Sequence, residues 1–222
     1  MSPFPLILSS PSGGGKTTIA RELLKRRTDL GYSVSCTTRP ARPGEVEGHD
    51  YHFLTTPVFE AARSRGEFAE SAEVHGRLYG TLKREVDRVL GSGRHVVMDI
   101  DVQGARQFVE AYPDSVLVFV LPPDASILMD RLTARGTESA ESIARRLKSA
   151  IEELRSVGMY SYVVVNDELE HAVNSVSHIV DAEALRLSRI DGIQPRVGTM
   201  LTDLERELEK MNRSQDAGFH TD

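Results

Sequence analysis

Ser10-Pro11-Ser12-Gly13-Gly14-Gly15-Lys16-Thr17 carries the strongest chemical signal in the chain. The aliphatic run Leu6–Ser9 precedes it, and Ile19, Leu23 and Leu24 follow at helical spacing. Strand, glycine loop and helix in that order form a phosphate-binding loop. Glycines remove side chains, so successive backbone N–H groups can converge on phosphate oxygens. The helix N-terminus adds partial positive charge. Lys16 has the reach to grip terminal phosphates, and the Thr17 hydroxyl suits an accompanying Mg²⁺, with Thr18 a second hydroxyl beside it. The consensus opens on glycine, where this chain has Ser10.

Further candidates lie downstream. Val96-Val97-Met98-Asp99 is an apolar run ending in a carboxylate, placed either to hold Mg²⁺ or to cap the next helix. Arg39 and Arg42 sit three apart in a Pro- and Gly-rich stretch, and guanidinium forks match phosphate oxygens bidentately. Tyr51 and Tyr79 offer phenolic donors for the same anion. Between Asp124 and Ala150, Arg131, Arg135, Arg145, Arg146 and Lys148 form a cationic cluster.

These residues need elements to position them. Leu6–Ser9, Val96–Ile100, Val116–Leu121 and Tyr162–Val165 are short aliphatic runs, expected to be buried parallel strands. Helical patterns alternate with them: one from Ile19, one through Leu82, Val86, Val89 and Leu90, one at Ile127–Leu132, and one over Ser142–Val157 with Ile143, Leu147, Ile151 and Leu154 inward. The alternation predicts an α/β fold with a doubly wound parallel sheet core. Two segments, about 33–83 and 124–150, break it as insertions, where binding loops and lids sit.

The chain has 222 residues, 40% apolar and 27% charged, enough for one large domain with a full core. A net charge of −6 argues against broad nucleic-acid binding. The longest apolar run, Val116–Leu121, is far short of a membrane span. The first ten residues carry no basic side chain for a signal peptide. With Cys36 as the sole cysteine, no intramolecular disulfide can form, and the expected location is cytoplasmic. Cys36 itself is expected to be a small packing residue.

Five blocks in order complete the pattern: the phosphate loop; Ser33–Glu45 with Gly48–Phe53; Glu67–Glu70 with Gly76–Thr81; Asp99-Ile100-Asp101-Val102-Gln103-Gly104; and Arg131–Glu138 with the late Asn166-Asp167. From about residue 5 to 185 the chain resembles guanylate kinase, of the P-loop nucleoside monophosphate kinases. The resemblance implies phosphoryl transfer from ATP to GMP, with dGMP as a second acceptor. It divides the chain into a P-loop core (1–32, 84–123 and 151–190), a GMP-binding segment (33–83), a helical lid (124–150) and a C-terminal extension (191–222). Arg39, Arg42, Tyr51 and Tyr79 fall at the GMP phosphate. Ser35, Glu70, Thr81 and Asp101 fall at guanine, where a carboxylate can accept from N1–H and the N2 amino group. Lys16, Arg39, Arg135 and Arg146 are the implied catalytic cations. Arg131 and Arg135 join loop residues 10–18 on ATP, Asn166 stands at the adenine side, and Thr17 and Asp99 hold Mg²⁺.

Two other readings compete. Ribose bisphosphokinases share the loop and core but do not need the guanine-side set, and Ser35, Glu70, Thr81 and Asp101 count against them. Non-catalytic guanylate-kinase-like scaffold modules typically alter the phosphate loop, whereas Lys16, Thr17 and Asp99 are all present. After residue 190, Gly192–Pro195 is expected as a turn. Leu201, Leu204, Leu208 and Met211 then form one apolar helical stripe, and Asn212–Asp222 is polar and expected to fray. The stripe leaves monomer and homodimer both open.

Overall fold

All four apolar runs are strands that pair in parallel: Val116–Leu121 and Tyr162–Val165 keep their limits, and the other two begin one residue early, at Pro5 and His95, with the latter ending at Asp99 and not Ile100. The computed structural model describes residues 2–74, 76–133 and 140–218. In chain order the first elements are β1 (Pro5–Ser9), α1 (Lys16–Arg26), β2 (Leu30–Tyr32), β3 (Cys36–Thr37), β4 (His52–Phe53), α2 (Thr56–Ser64), β5 (Phe68–Val74) and β6 (Arg77–Leu82). Then follow α3 (Lys83–Gly91), β7 (His95–Asp99), α4 (Val102–Ala111), β8 (Val116–Leu121), α5 (Ala125–Thr133), α6 (Ala140–Arg155), β9 (Tyr162–Val165), α7 (Leu169–Ala184) and α8 (Ile193–Gly218).

The larger sheet has order β2-β7-β1-β8-β9, all parallel. β1 is central and buried along its whole length, as a strand covered on both faces must be. Chain order reverses around it: the crossover after β1 leads to β2 on one side, while β8 and β9 lie on the other. Ligands bind such sheets outside the carboxyl ends of the strands at this reversal. The phosphate loop leaves β1 there. Register sets Leu8 of β1 level with Asp99 of β7, which places that carboxylate beside the loop.

The smaller sheet, β4-β3-β6-β5, lies within the insertion expected at 33–83. Cys36, Phe59, Ala62, Phe68, Leu78 and Leu82 form its own apolar cluster, with Phe59 stacked on Phe68 at 4.3 Å. Cys36 is fully buried there, and burial pushes its thiol up to about 12. The sequence pattern did not forecast β2, α2, α7 or most of this sheet. β2 is three residues long with glycine at its centre, and its strand pairing is all tertiary.

Three boundaries differ from expectation. α6 runs unbroken through residue 150, so a lid edge there would cut a continuous helix; the helix ends at Arg155. In α6, Leu147 and Leu154 pack against Leu128 and Leu132 of α5, while Ile151 is exposed. Pro3–Glu183 forms one compact unit, and Ser2 with the chain from Ala184 onward forms another, so the division falls at 184 and not at 190. In this second unit α8 begins at Ile193, with Pro195 in its first turn where a missing N–H costs nothing. The helix continues through Asn212–Gly218, which polarity alone had suggested would fray. Leu201, Leu204, Leu208 and Met211 are each more than half exposed.

Candidate active site

The phosphate loop is shaped by backbone and by one distant amide. Gly15 caps α1 with φ 94°, a left-handed conformation that favours glycine. A side chain there is excluded twice over, because a Cβ would lie 2.3 Å from Asn166 Nδ2. That nitrogen, buried just beyond β9, donates to the Gly14 carbonyl at 2.9 Å. One Asn166 N–H is thus spent on holding the loop. Gly14 N–H donates to the Pro11 carbonyl at 2.8 Å, and the buried Ser10 hydroxyl donates to the same oxygen at 3.0 Å. Ser10 therefore adds a hydrogen bond where the consensus has none. Ser12 and Lys16 are half-buried, and Thr17 and Thr18 are exposed on the first turn of α1.

Beside the loop, Thr17 Oγ1 donates to Asp99 Oδ2 in a short hydrogen bond. Tyr32 donates its phenol to the other carboxylate oxygen at 2.9 Å. Burial and the Asp99 charge push the Tyr32 phenol up, so it stays a proton donor. The two acidic candidates separate clearly here. Asp101 is the helix cap, accepting from Gly104 N–H at 2.7 Å as α4 begins, whereas Asp99 faces the loop. Asp99 and Thr17 form a small, hard oxygen donor set that fits Mg²⁺, which keeps waters and phosphate oxygens as its other ligands.

The base-reading candidates meet across the smaller sheet. Glu70 on β5 lies opposite Thr81 on β6. A register shift between Phe68 and Glu70 bends the strand, leaving Phe68, Ala69 and Glu70 all buried in succession. Bulges of this kind re-aim a side chain. Thr81 Oγ1 donates to Glu70 Oε1 at 2.7 Å, and Ser35 Oγ is 3.4 Å from the Thr81 hydroxyl. Glu70 is 7% exposed, and burial pushes its carboxyl up to about 7 against the opposing pull of the Thr81 hydrogen bond. Gly104 makes room for it: a Cβ there would fall 2.9 Å from Glu70 Oε2 and 3.3 Å from Asp101 Oδ1. Ser35, Glu70, Thr81 and Asp101 thus share one locus, with Asp101 tied to its cap.

The anion candidates gather nearby. Arg39 forms a bidentate pair with Glu45, at 2.9 and 2.8 Å, and this holds the Glu45 carboxyl down to about 2. The guanidinium lies 5.4 Å from the centre of the Tyr51 ring, and the Tyr51 and Tyr79 rings are 6.1 Å apart, edge to face. Arg39 Nε is buried without a hydrogen-bond partner, a donor awaiting an acceptor. Arg42 is exposed, its backbone N–H bonded to Glu45 Oε2 at 2.7 Å. His49 and His52 pair with Asp50 and Glu47 at the rim.

On the opposite side, α5 brings Arg131 against the phosphate loop. A Cβ on Gly13 would meet Arg131 Cβ at 3.4 Å, and Arg131 Nη1 is a second buried donor without a partner. Arg146 Nη1 donates to the Leu132 carbonyl at 2.6 Å. Arg135 lies outside the described residues. Sequence reasoning missed Tyr32, Glu45 and the steric role of Gly104. It also missed Glu153 of α6, whose Oε2 accepts from Ser12 N–H at 3.0 Å. Only Glu45 left a readable signal, an acid six residues from Arg39 on one loop.

Comparison with known proteins agrees with this geometry. The guanylate kinase family model matches residues 2–183, nearly the span of the larger compact unit. The guanylate kinase of Chelativorans sp. (strain BNC1) is 48% identical over 199 residues, covering 89% of this chain and 91% of the relative. That of Symbiobacterium thermophilum is 48% identical over 184 residues, covering 83% and 87%. The crystal structure of guanylate kinase from Anaplasma phagocytophilum superposes with a TM-score of 0.72 at 34% identity, over 87% of this chain and 93% of that one. By sequence, by fold and by extent of match, the chain belongs to the guanylate kinase family.

Proposed function

We propose that the protein transfers the γ-phosphoryl group of ATP to GMP, and to dGMP, giving ADP and the nucleoside diphosphate. The observation that carries this reading is the buried Glu70 carboxylate, bonded to Thr81 beside Ser35 and Asp101, on the small sheet whose strand β3 leads into the loop of Arg39. A guanine offers N1–H and N2 amino donors to a carboxylate. Adenine offers a lone pair at N1 and would leave the buried charge unpaired, which discriminates by up to about 10⁴-fold.

In this reading Arg39, Arg42, Tyr51 and Tyr79 take the GMP phosphate, with the orphaned Arg39 Nε as one donor. Loop residues 10–18 take the ATP phosphates, Lys16 and Arg131 their terminal charge. Arg135 and Arg146 complete the cationic surround, with Arg146 tethered at the end of α5. Thr17 and Asp99 hold Mg²⁺, which neutralises charge on the transferring phosphoryl group when bound. Asn166 supports the loop from below.

No general base is required, because the attacking oxygen belongs to a phosphate whose second pKa is about 6. The protein's contribution is to align two anions and offset their repulsion. The segments 33–83 and 124–155 act as the GMP-binding and lid regions and exclude water during transfer. Such an enzyme serves GMP recycling in purine metabolism, and the sole buried thiol suits the reducing cytoplasm. No helix among the described residues is long and apolar enough to cross a membrane. The test is ADP release from ATP–Mg²⁺ with GMP, dGMP, AMP, UMP, ribose bisphosphate or no acceptor. Fast release with GMP and dGMP alone supports the proposal; release with ribose bisphosphate alone overturns it.

A further inference from the structure

The geometry points to Glu153 as a positioning residue for phosphoryl transfer, one that fastens the phosphate loop to the helix carrying Arg146. This inference rests on the ATP–GMP reading above and adds a residue to it.

Besides the Thr17–Asp99 bond, two side chains among the described residues fasten the loop's backbone from outside. Asn166 holds the Gly14 carbonyl from the end of β9. Glu153 holds the Ser12 N–H from α6, across 141 positions of sequence. The Asn166 bond fixes the half of the loop nearest α1. The half that leaves β1 has the internal bonds at the Pro11 carbonyl, and Glu153 is what ties Ser12 to another element.

Glu153 stands seven positions after Arg146 in one continuous helix, two turns on and on the same face. At one end of that face, Arg146 reaches the Leu132 carbonyl at the end of α5. At the other, Glu153 reaches the phosphate loop. A rigid helix carrying both bonds sets the loop and the lid's cation at a fixed spacing, and in-line transfer is sensitive to errors of about 1 Å.

The charge environment agrees with a lasting bond. Burial pushes the Glu153 carboxyl up, while the Ser12 N–H and the Lys16 ammonium hold it down. Asp101 and Glu152 are the acidic groups that oppose its ionisation, and Tyr160 lies in the same field.

The test uses the full chain with Glu153→Ala, Glu153→Asp and Glu153→Gln. ATP–Mg²⁺ affinity is measured by calorimetry, and kcat and both KM values by steady-state assay. Glu153→Ala is expected to weaken ATP about tenfold and lower kcat by a similar factor, with the KM for GMP within about twofold of the parent. Glu153→Asp, whose carboxylate is withdrawn by one methylene, should behave alike and covers the case in which the alanine variant does not fold. Glu153→Gln keeps a carbonyl oxygen for Ser12 N–H and should restore ATP affinity to within about threefold. Parent-like ATP affinity and kcat in both the Ala and Asp variants would overturn the inference. So would tighter ATP binding in Glu153→Ala and Glu153→Gln, the sign of a carboxylate that competes with phosphate. A glutamine variant as defective as alanine would also overturn it, since charge toward Lys16 would then be the whole effect. If the parent binds ATP but phosphorylates no acceptor, the proposed function fails, and the ATP affinities of the variants still decide the role of Glu153.

Discussion

The two halves of the candidate site are built differently. The phosphate loop is one continuous segment that, in the proposed reading, grips phosphate through backbone N–H groups, with side-chain support from Asn166 at Gly14, Glu153 at Ser12 and Asp99 at Thr17. The half proposed to take GMP is assembled from side chains on β5, β6 and the loops flanking β3 and β4, linked by Glu70–Thr81, Ser35–Thr81 and Arg39–Glu45 contacts. Backbone recognition suits phosphate, which looks alike on every nucleotide. Choosing a base needs polar atoms of defined sign in defined places, and here the candidates are side chains.

If that division is right, damage should differ in kind on the two sides. Lys16→Ala should lower kcat by about 10³-fold or more with any acceptor, because it removes charge at the transferring group; near-parent turnover would remove Lys16 from the mechanism. Glu70→Gln should instead collapse the ratio of kcat/KM for GMP over AMP, by about 10² to 10⁴-fold, while ATP affinity holds. An unchanged ratio would mean that guanine is read elsewhere. Arg39→Lys keeps the charge but loses the fork, and should raise the KM for GMP about tenfold or more with little change in that for ATP.

Two smaller effects sharpen the contrast. Tyr32→Phe deletes the phenol on Asp99 and should raise the Mg²⁺ concentration for half-maximal rate severalfold, leaving GMP preference intact. The smallest effect is on stability. Glu70's carboxyl is pushed up to about 7 by burial in the folded chain, against 4.5 ordinarily. Its contribution is fully present below about pH 4.5 and is lost as pH rises through about 7, where a buried charge must form. The Tm of the ligand-free parent should therefore fall relative to Glu70→Gln by a few degrees between pH 5 and pH 8. A constant difference in Tm across that range would show that Glu70 does not titrate differently on folding.

The same division decides what could be read from the chain. The phosphate loop is contiguous, so composition and order were enough to find it, and Val116–Leu121 kept its expected limits because a buried parallel strand is an unbroken apolar run. Tyr162–Val165 kept its limits too, but as an edge strand whose Val163 and Val165 are exposed, so the expected burial holds only at Val164. Glu70 alone has the look of a surface acid. Its burial comes from pairing with β6 and from the register shift beside Phe68, both tertiary facts, so only the ordered family blocks pointed to it. Of the two readings of Asp99, the structure removes the helix cap, which Asp101 takes. Tyr32 and Glu153 could not be found at all, since each acts on a partner 67 or 141 positions away. The motif marked Asn166 for the adenine side, while its contact with Gly14, 152 positions away, and with Gly15 beside it was not legible in the sequence.

Cys36, packed among Phe59, Phe68 and Leu82, has a practical consequence. Burial pushes its thiol up and shields it, so at neutral pH it carries little of the thiolate that maleimides attack. The native protein is therefore already a near-silent background for site-directed labelling. A single added thiol on the exposed face of α6, as in Ser149→Cys, would take a fluorophore selectively, and the movement of that helix could be followed in an otherwise unaltered chain.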